Sequence, residues 1–271
     1  MQIGTRQFDT KNEVYMMGIL NVTPDSFSDG GRFDRPEAAL RQAEKMIQEG
    51  AHIIDVGGES TRPGYERVST EEEIRRVVPV IEAIKKRWDI PISLDTYKTG
   101  VAEAGIGAGA DLINDIWGLR SPENGDMAAL IGEAGVSCIL MHNTEKPLGD
   151  DVMGRIKEDL KLTLEIAQEA GIAKDRILLD PGIGFGKDTA QNRQVIATLE
   201  QLGELGYPMM LAASRKSVIG NTLDLPVDQR LEGTIALTVI GVMKGVSFFR
   251  VHDVKENLRA AKMALAIRNS I

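Results

Sequence analysis

The sequence predicts an α/β protein built as a single (β/α)8 TIM barrel across residues 1–271, with an N-terminal β-hairpin and long first and second βα loops. Apolar runs of strand length alternate eight times with longer segments of helical period. Several strand runs are continuous in Ile, Leu and Val, as strands covered on both faces require. Eight units in 271 residues average about 34 residues each, close to the size of such barrels. An open doubly wound sheet shares the alternation, but it usually has fewer strands and a Gly-rich phosphate fingerprint after the first. Here the first strand ends Asn-Val-Thr-Pro.

Gln2 to Val14, with Lys11-Asn12 as its turn, reads as a hairpin closing the barrel floor. The strands follow as Tyr15 to Asn21, His52 to Gly57, Ile92 to Asp95, Leu112 to Asp115, Ser137 to Met141, Ile177 to Asp180, Met209 to Ala212 and Phe248 to Val251. Between the second and third, Ile74, Val77, Val78, Ile81, Ile84 and Trp88 form one helical stripe. That helix is expected to start on Thr70 as cap, with Glu71, Glu72 and Glu73 favouring its dipole, and to kink at Pro79. No linker, repeat or low-complexity tract interrupts the pattern.

Against 40 acidic residues stand 32 basic ones, for a net charge of −8, so no nucleic-acid partner is expected. A single cysteine allows neither an intramolecular disulfide nor a cysteine zinc site and suits a reducing, cytoplasmic setting. Neither a secretion signal nor a spanning segment is evident, so no membrane association is expected.

In this architecture function gathers at the C-terminal rim, where the βα loops converge above a packed interior. The strand ends there carry Asn21, Asp55 with Glu59, Asp95, Asn114 with Asp115, His142, Asp180, Ser214 to Lys216, and Arg250 with His252. Two rim loops, Val22 to Arg35 and Gly58 to Ser69, far exceed the usual length and read as lids, with Asp25, Ser26, Ser28 and Arg62 able to seize a phosphate-bearing substrate. Arg62, Lys216, Arg250 and His252 make a cationic set in an acidic protein and imply an anionic ligand. Asp95, Asn114 and Asp180 offer the acceptors that complement the N–H edge of an amino-pyrimidinone ring.

Plainer readings hold elsewhere. Gly182 to Lys187 fails the Walker pattern, because Pro181 and Asp188 stand where Gly and Ser or Thr are needed, and it fails the dinucleotide fingerprint at Lys187. Cys138 reads as a buried hydrophobe and His52 as a residue at the end remote from the rim. His142 lies at the rim but could cap a loop; Asp55 reads as an acceptor for loop groups, and Asp115 as the support of Asn114 and its loop. A glycosidase pair of Asp55 and Glu59 is disfavoured by an aromatic content of 4%, too low for sugar platforms.

Met17 to Gly31 (MGILNVTPDSFSDGG) and Ile54 to Gly64 (IDVGGESTRPG) resemble the two signature stretches of the dihydropteroate synthase family. The likeness continues through Ser93 to Thr96, Ile113 to Asp115, Leu179 to Lys187, Ser214 to Ser217 and Arg250 to Asp253, in order along essentially the whole chain. The resemblance implies condensation of 6-hydroxymethyl-7,8-dihydropterin pyrophosphate with p-aminobenzoate by an SN1-like displacement in folate biosynthesis. It implies a pterin held by Asp95, Asn114, Asp180 and Lys216, with Ile116, Met141 and Phe185 against the ring and Arg250 stacked beside it. Asn21, Arg62, Arg250 and His252 would hold the pyrophosphate, with Mg2+ near Asn21; Phe27, Thr61, Pro63, Lys216 and Ser217 would form the p-aminobenzoate site. Asp25, Arg62, Asp95, Lys216 and Arg250 are thereby the expected catalytic group, and a homodimer is implied. Two rivals share the pocket: a pterin-dependent methyltransferase domain acting on methyltetrahydrofolate, and a non-catalytic folate-binding paralogue. The phosphate-holding cations argue against both.

Overall fold

The computed structural model describes residues 1–23, 35–59, 67–121 and 126–270. After a short antiparallel hairpin, β1 (Gln2–Ile3) and β2 (Arg6–Gln7), the described residues contain eight parallel strands: β3 (Tyr15–Asn21), β4 (Ile53–Gly57), β5 (Ile92–Asp95), β6 (Leu112–Asp115), β7 (Ser137–Met141), β8 (Ile177–Asp180), β9 (Met210–Leu211) and β10 (Phe248–Val251). The helices among them are α1 (Arg35–Gln48), α2 (Thr70–Arg87), α3 (Thr99–Gly107), α4 (Met127–Ala134), α5 (Val152–Glu169), α6 (Thr189–Ala197), α7 (Ser217–Leu223), α8 (Leu231–Met243) and α9 (Val254–Arg268). From β3 to β8 each strand pairs with the next, and β10 pairs with both β9 and β3. The remaining seam closes where Leu179 bridges Met209 and donates its N–H to the Pro208 carbonyl at 3.0 Å.

The two-residue period of a strand explains how one apolar run serves two surfaces. On β3, Met16 and Leu20 turn outward into the helix-packed core, while Met17 turns into the lumen and Ile19 and Asn21 reach the cavity above it. Lumen-facing Met17, Ile53, Leu112, Ile139, Leu178, Met210 and Phe248 pack into a floor layer beneath Ile3 and Phe8 of the N-terminal segment. Each fully buried side chain of this kind contributes about 1.5–3 kcal/mol. Two residues further along the strands the same phase presents Asn114, Met141, Asp180 and Arg250, so the floor geometry sets which residues reach the mouth.

The hairpin turns at Gly4-Thr5, with Ile3 paired to Arg6, rather than at Lys11-Asn12. Gly4 takes the left-handed conformation that turn needs, at φ +56°. Lys11 and Asn12 instead donate their backbone N–H groups to Asp9 Oδ1, an Asx turn. Helix α2 is capped by Ser69, whose hydroxyl accepts from the Glu72 N–H at 3.2 Å, and not by Thr70, its first helical residue. It continues through Pro79, because Val77, Val80, Ile81 and Ile84 bury one face and outweigh the missing backbone bond. No helix among the described residues is long and apolar enough to cross a membrane.

Candidate active site

The C-terminal mouth holds a cavity of about 630 Å³. Asp95, Asn114 and Asp180, from β5, β6 and β8, line it together with Lys216, Arg250 and His252, so the acceptor slot and the cationic groups share one end of the barrel. Asn21, Ile116, Met141, Phe185 and Ser217 line it as well. Ile116 and Met141 form an apolar cluster with Tyr97, against which Trp117 and Phe185 pack, and these give the slot a flat hydrophobic wall. Asp25, Phe27, Thr61, Arg62 and Pro63 lie outside the described residues.

Arg250 is fixed between two acids. Its Nε donates to Asp55 Oδ2 and one terminal nitrogen to Asp95 Oδ2, each at 2.6 Å. Asp55, fully buried, also accepts from the Ser93 hydroxyl at 2.5 Å. Among the described residues Asp55 holds Arg250 and Ser93. Burial works against the Arg250 charge, but Asp55 and Asp95 together hold its pKa above the usual arginine value. Burial pushes the Asp95 carboxyl up to about 7, against the pull of Arg250 and with the help of Asp55. Its second oxygen, Oδ1, is buried without a hydrogen-bond partner among the described residues.

Asp180 repeats this arrangement. Its Oδ1 accepts from the Gly182 N–H at 2.7 Å, its Oδ2 is buried without a partner among the described residues, and burial raises its pKa. Lys216 donates to the Ile183 carbonyl at 2.6 Å and stands 4.8 Å from the centre of the Phe185 ring. Burial brings its ammonium down to about 8, while Asp180 and Asp95 counteract the fall. Lys216 reaches inward because Arg215 before it adopts a left-handed backbone, φ +57°. That strained turn is pinned by two bonds from Arg215 to the Asp253 carboxylate, at 3.0 and 2.6 Å, and by Arg230 on the Arg215 carbonyl at 3.0 Å. Beside it Ser214 Oγ lies 3.0 Å from His252 Nδ1 and accepts from the His252 N–H, which orients the imidazole.

Glu59 is no partner of Asp55. It accepts from the Val68 N–H, the Tyr97 hydroxyl and Lys98, tying the two ends of the second loop together. Asp115 accepts from the N–H groups of Trp117 and Leu119 and so braces the loop after β6, as its position suggests. His52 accepts from the Met16 N–H through Nδ1 at the floor end, and Cys138 is buried. His142 is no loop cap. It is fully buried, between Asp159 and Lys187. The sequence reading missed Ser93, Arg230 and the role of Lys187. Arg230 has no local signal, whereas Lys187 ends a Gly-rich loop whose carbonyls need outside donors.

Residues 17–252 match the family described as Pterin binding enzyme. A dihydropteroate synthase of Clostridium beijerinckii is 56% identical over 264 residues, covering 97% of each chain. The chain belongs to the dihydropteroate synthase family. Among solved members of that family, the enzyme of Clostridium difficile in the presence of pteroic acid superposes with a TM-score of 0.93 at 51% identity, covering 96% of this chain and 99% of its own. The Xanthomonas albilineans enzyme with 4-aminobenzoic acid gives 0.90 at 41% identity, covering 95% and 94%.

Proposed function

We propose that this barrel mouth condenses 6-hydroxymethyl-7,8-dihydropterin pyrophosphate with p-aminobenzoate, releasing pyrophosphate and forming 7,8-dihydropteroate. One observation carries the reading. Two carboxyl oxygens, Asp95 Oδ1 and Asp180 Oδ2, are buried without partners among the described residues, on acids that line a cavity together with Asn114. Buried acceptors left unpaired cost about 1–3 kcal/mol each, and a ring edge bearing several N–H donors relieves that cost. The related enzymes of Clostridium difficile and Xanthomonas albilineans are solved with pteroic acid and 4-aminobenzoic acid, ligands that fit the same chemistry.

In this reading Asp95, Asn114, Asp180 and Lys216 hold the pterin, with Ile116, Met141, Phe185 and Arg250 around its ring. Asn21, Arg62, Arg250 and His252 take the pyrophosphate; Phe27, Thr61, Pro63, Lys216 and Ser217 take p-aminobenzoate; Asp25 and Arg62 join from the two long loops. The C–O bond to the pyrophosphate breaks first, and Arg62, Arg250 and His252 neutralise the charge that develops on the leaving group. The methylene left behind is cationic and conjugated with the ring, and the Asp95 carboxylate stabilises it. p-Aminobenzoate, a weak amine nucleophile, then attacks and gives up a proton.

Asn21 lines the cavity and offers an amide oxygen, a hard donor, beside the place where substrate phosphates would lie. That donor set fits Mg2+, a cation that keeps several waters and takes its remaining ligands from substrate phosphates. When bound, Mg2+ would supply Lewis-acid neutralisation of the leaving pyrophosphate.

The chain is read as one pterin-binding domain, 1–271, working in the cytoplasm, where its single buried thiol stays reduced. It is read as a homodimer. Ile240 and Met243 on α8 and Met263 and Ile267 on α9 are 39–63% exposed, and a second copy would cover them. Pyrophosphate release measured with Mg2+ and both substrates tests the activity. Release that ignores p-aminobenzoate means hydrolysis, and no release at all rejects the synthase reading.

A further inference from the structure

The loop from Gly182 to Gly186 forms one wall of the slot, yet its own side chains do little to fix it. Gly182, Gly184 and Gly186 all have left-handed φ, at +70°, +86° and +60°. A Cβ on Gly182 would overlap the His142 carbonyl oxygen, and one on Gly186 the Thr144 carbonyl oxygen. Such a loop has more accessible backbone states than any other, so something outside it must select one. Asn192 does part of this, accepting the Gly184 N–H at 2.7 Å.

The loop's carbonyls turn to two ammonium groups. Lys216 takes Ile183 O at 2.6 Å, from the cavity. Lys187, which does not line the cavity, donates to Gly182 O at 3.0 Å and to Phe185 O at 2.9 Å. Its third donor meets His142 Nδ1 at 3.0 Å, and His142 Nε2 lies 3.2 Å from Asp159 Oδ2. Burial brings Lys187 down to about 7, while Asp180 and the two carbonyl oxygens on Nζ favour the charged form; that ammonium has no acceptor, so beside it Nδ1 accepts and the imidazole proton sits on Nε2, donated to Asp159. Burial brings His142 down to about 4 and so keeps the ring neutral, as this tautomer requires. Arg155 and Arg120 stand 3.1 and 3.6 Å from the other Asp159 oxygen and hold it in place.

We propose that Lys187, oriented by His142 and Asp159, is a positioning residue of the pterin-transfer reaction. It fixes the carbonyl bracket that places the Lys216 ammonium and the Phe185 ring in the slot. The role rests on the synthase reading, since it presumes a pterin in that slot. Without Lys187 the carbonyls of Gly182 and Phe185 lose their donor, the glycine loop relaxes, and the anchor of Lys216 at Ile183 moves with it.

The test uses Lys187→Met, His142→Asn and the double variant of the full chain, with KM for each substrate, thermal midpoint, and calorimetric Kd for pteroic acid. In Lys187→Met the Kd for pteroic acid and the KM for pterin pyrophosphate are expected to rise about tenfold, while the KM for p-aminobenzoate, which shares Lys216 with the pterin but meets neither Phe185 nor the glycine loop, moves less than about threefold. His142→Asn shifts the same two values by less, and the double variant is no worse than Lys187→Met, because the two residues act as one unit. Folded variants with unchanged pterin affinity, KM values that rise equally for both substrates, or effects that simply add would each overturn the proposal. Should Lys187→Met fail to fold, His142→Asn decides by the same two readouts. A wild-type chain that binds pteroic acid but releases no pyrophosphate defeats the synthase reading alone, and the Kd comparison still decides the role of Lys187.

Discussion

Asp95→Asn separates binding from chemistry. The substitution keeps one acceptor oxygen at nearly the same place, so the ring loses a charge-enhanced hydrogen bond rather than all contact, about 1 kcal/mol or about fivefold in pterin KM. The transition state loses more. A unit positive charge about 6 Å from a carboxylate, at an effective dielectric of about 20, is stabilised by about 2.8 kcal/mol, which converts to about 100-fold in kcat. The pH profile gives a second readout. The Asp95 carboxyl is raised to about 7, so the stabilising charge is present above that value and lost as pH falls through it. Lys216, brought down to about 8, loses its proton on the alkaline side, so kcat/KM for the native chain is expected to be bell-shaped with two apparent values belonging to the coupled site. Asp95→Asn should erase the acid limb and leave the alkaline one. Continuous measurement of pyrophosphate release, varying each substrate at pH 5.5 to 9.5, a range chosen to span both limbs, supplies all of these values. Equal losses in kcat and pterin affinity, or an acid limb that survives the substitution, would refute the assignment and leave Asp95 as a ring-binding group only.

Asp55→Ala strips Arg250 of one of its two acids and Ser93 of its acceptor, and should cost about 3–5 kcal/mol in urea unfolding; an unchanged midpoint would contradict the buried bridge. Gly182→Ala forces an L side chain into φ +70° against the His142 carbonyl and should lower stability by at least about 1–2 kcal/mol and abolish pteroic acid binding, so wild-type calorimetry would overturn the loop's tight seating. Met243→Glu with Met263→Glu places two charges on the exposed α8–α9 face and should convert the proposed homodimer to monomers in sedimentation; a wild-type monomer would reject the dimer, and an unaltered dimer would locate the interface elsewhere.

The strand ends were legible because burial and chemistry change at the same residue. Along β5 the run Ile92-Ser93-Leu94 stops at Asp95, and along β6 Leu112-Ile113 stops at Asn114-Asp115, so an apolar period of two meets a polar rim in the sequence itself. Pairings across the chain leave no such trace. Asp55 and Arg250 lie 195 residues apart and Lys187 and His142 45 apart, and only assembly of the sheet, with β7 beside β8 and both β4 and β10 beside β3, brings each pair within hydrogen-bonding distance. Local competition accounts for the hairpin and the cap: Gly4-Thr5 and Lys11-Asn12 are both turn sequences, and Ser69 and Thr70 are both capping types. Pairing of Ile3 with Arg6 and the extended backbone of Ser69, φ −68° and ψ 157°, decided between them.

At the bottom of the mouth three carboxyl groups, on Asp55, Asp95 and Asp180, surround two cations, Arg250 and Lys216. The three acids disfavour a polyanion seated among them, and Arg250 offers it a charge best where His252 and Ser217 line the same cavity. A molecule with an uncharged, donor-rich head and a heavily negative tail has one favourable way to dock, head down and tail toward solvent. Direction of entry is set by the field at the mouth, and the departing fragment starts its journey already nearest the exit.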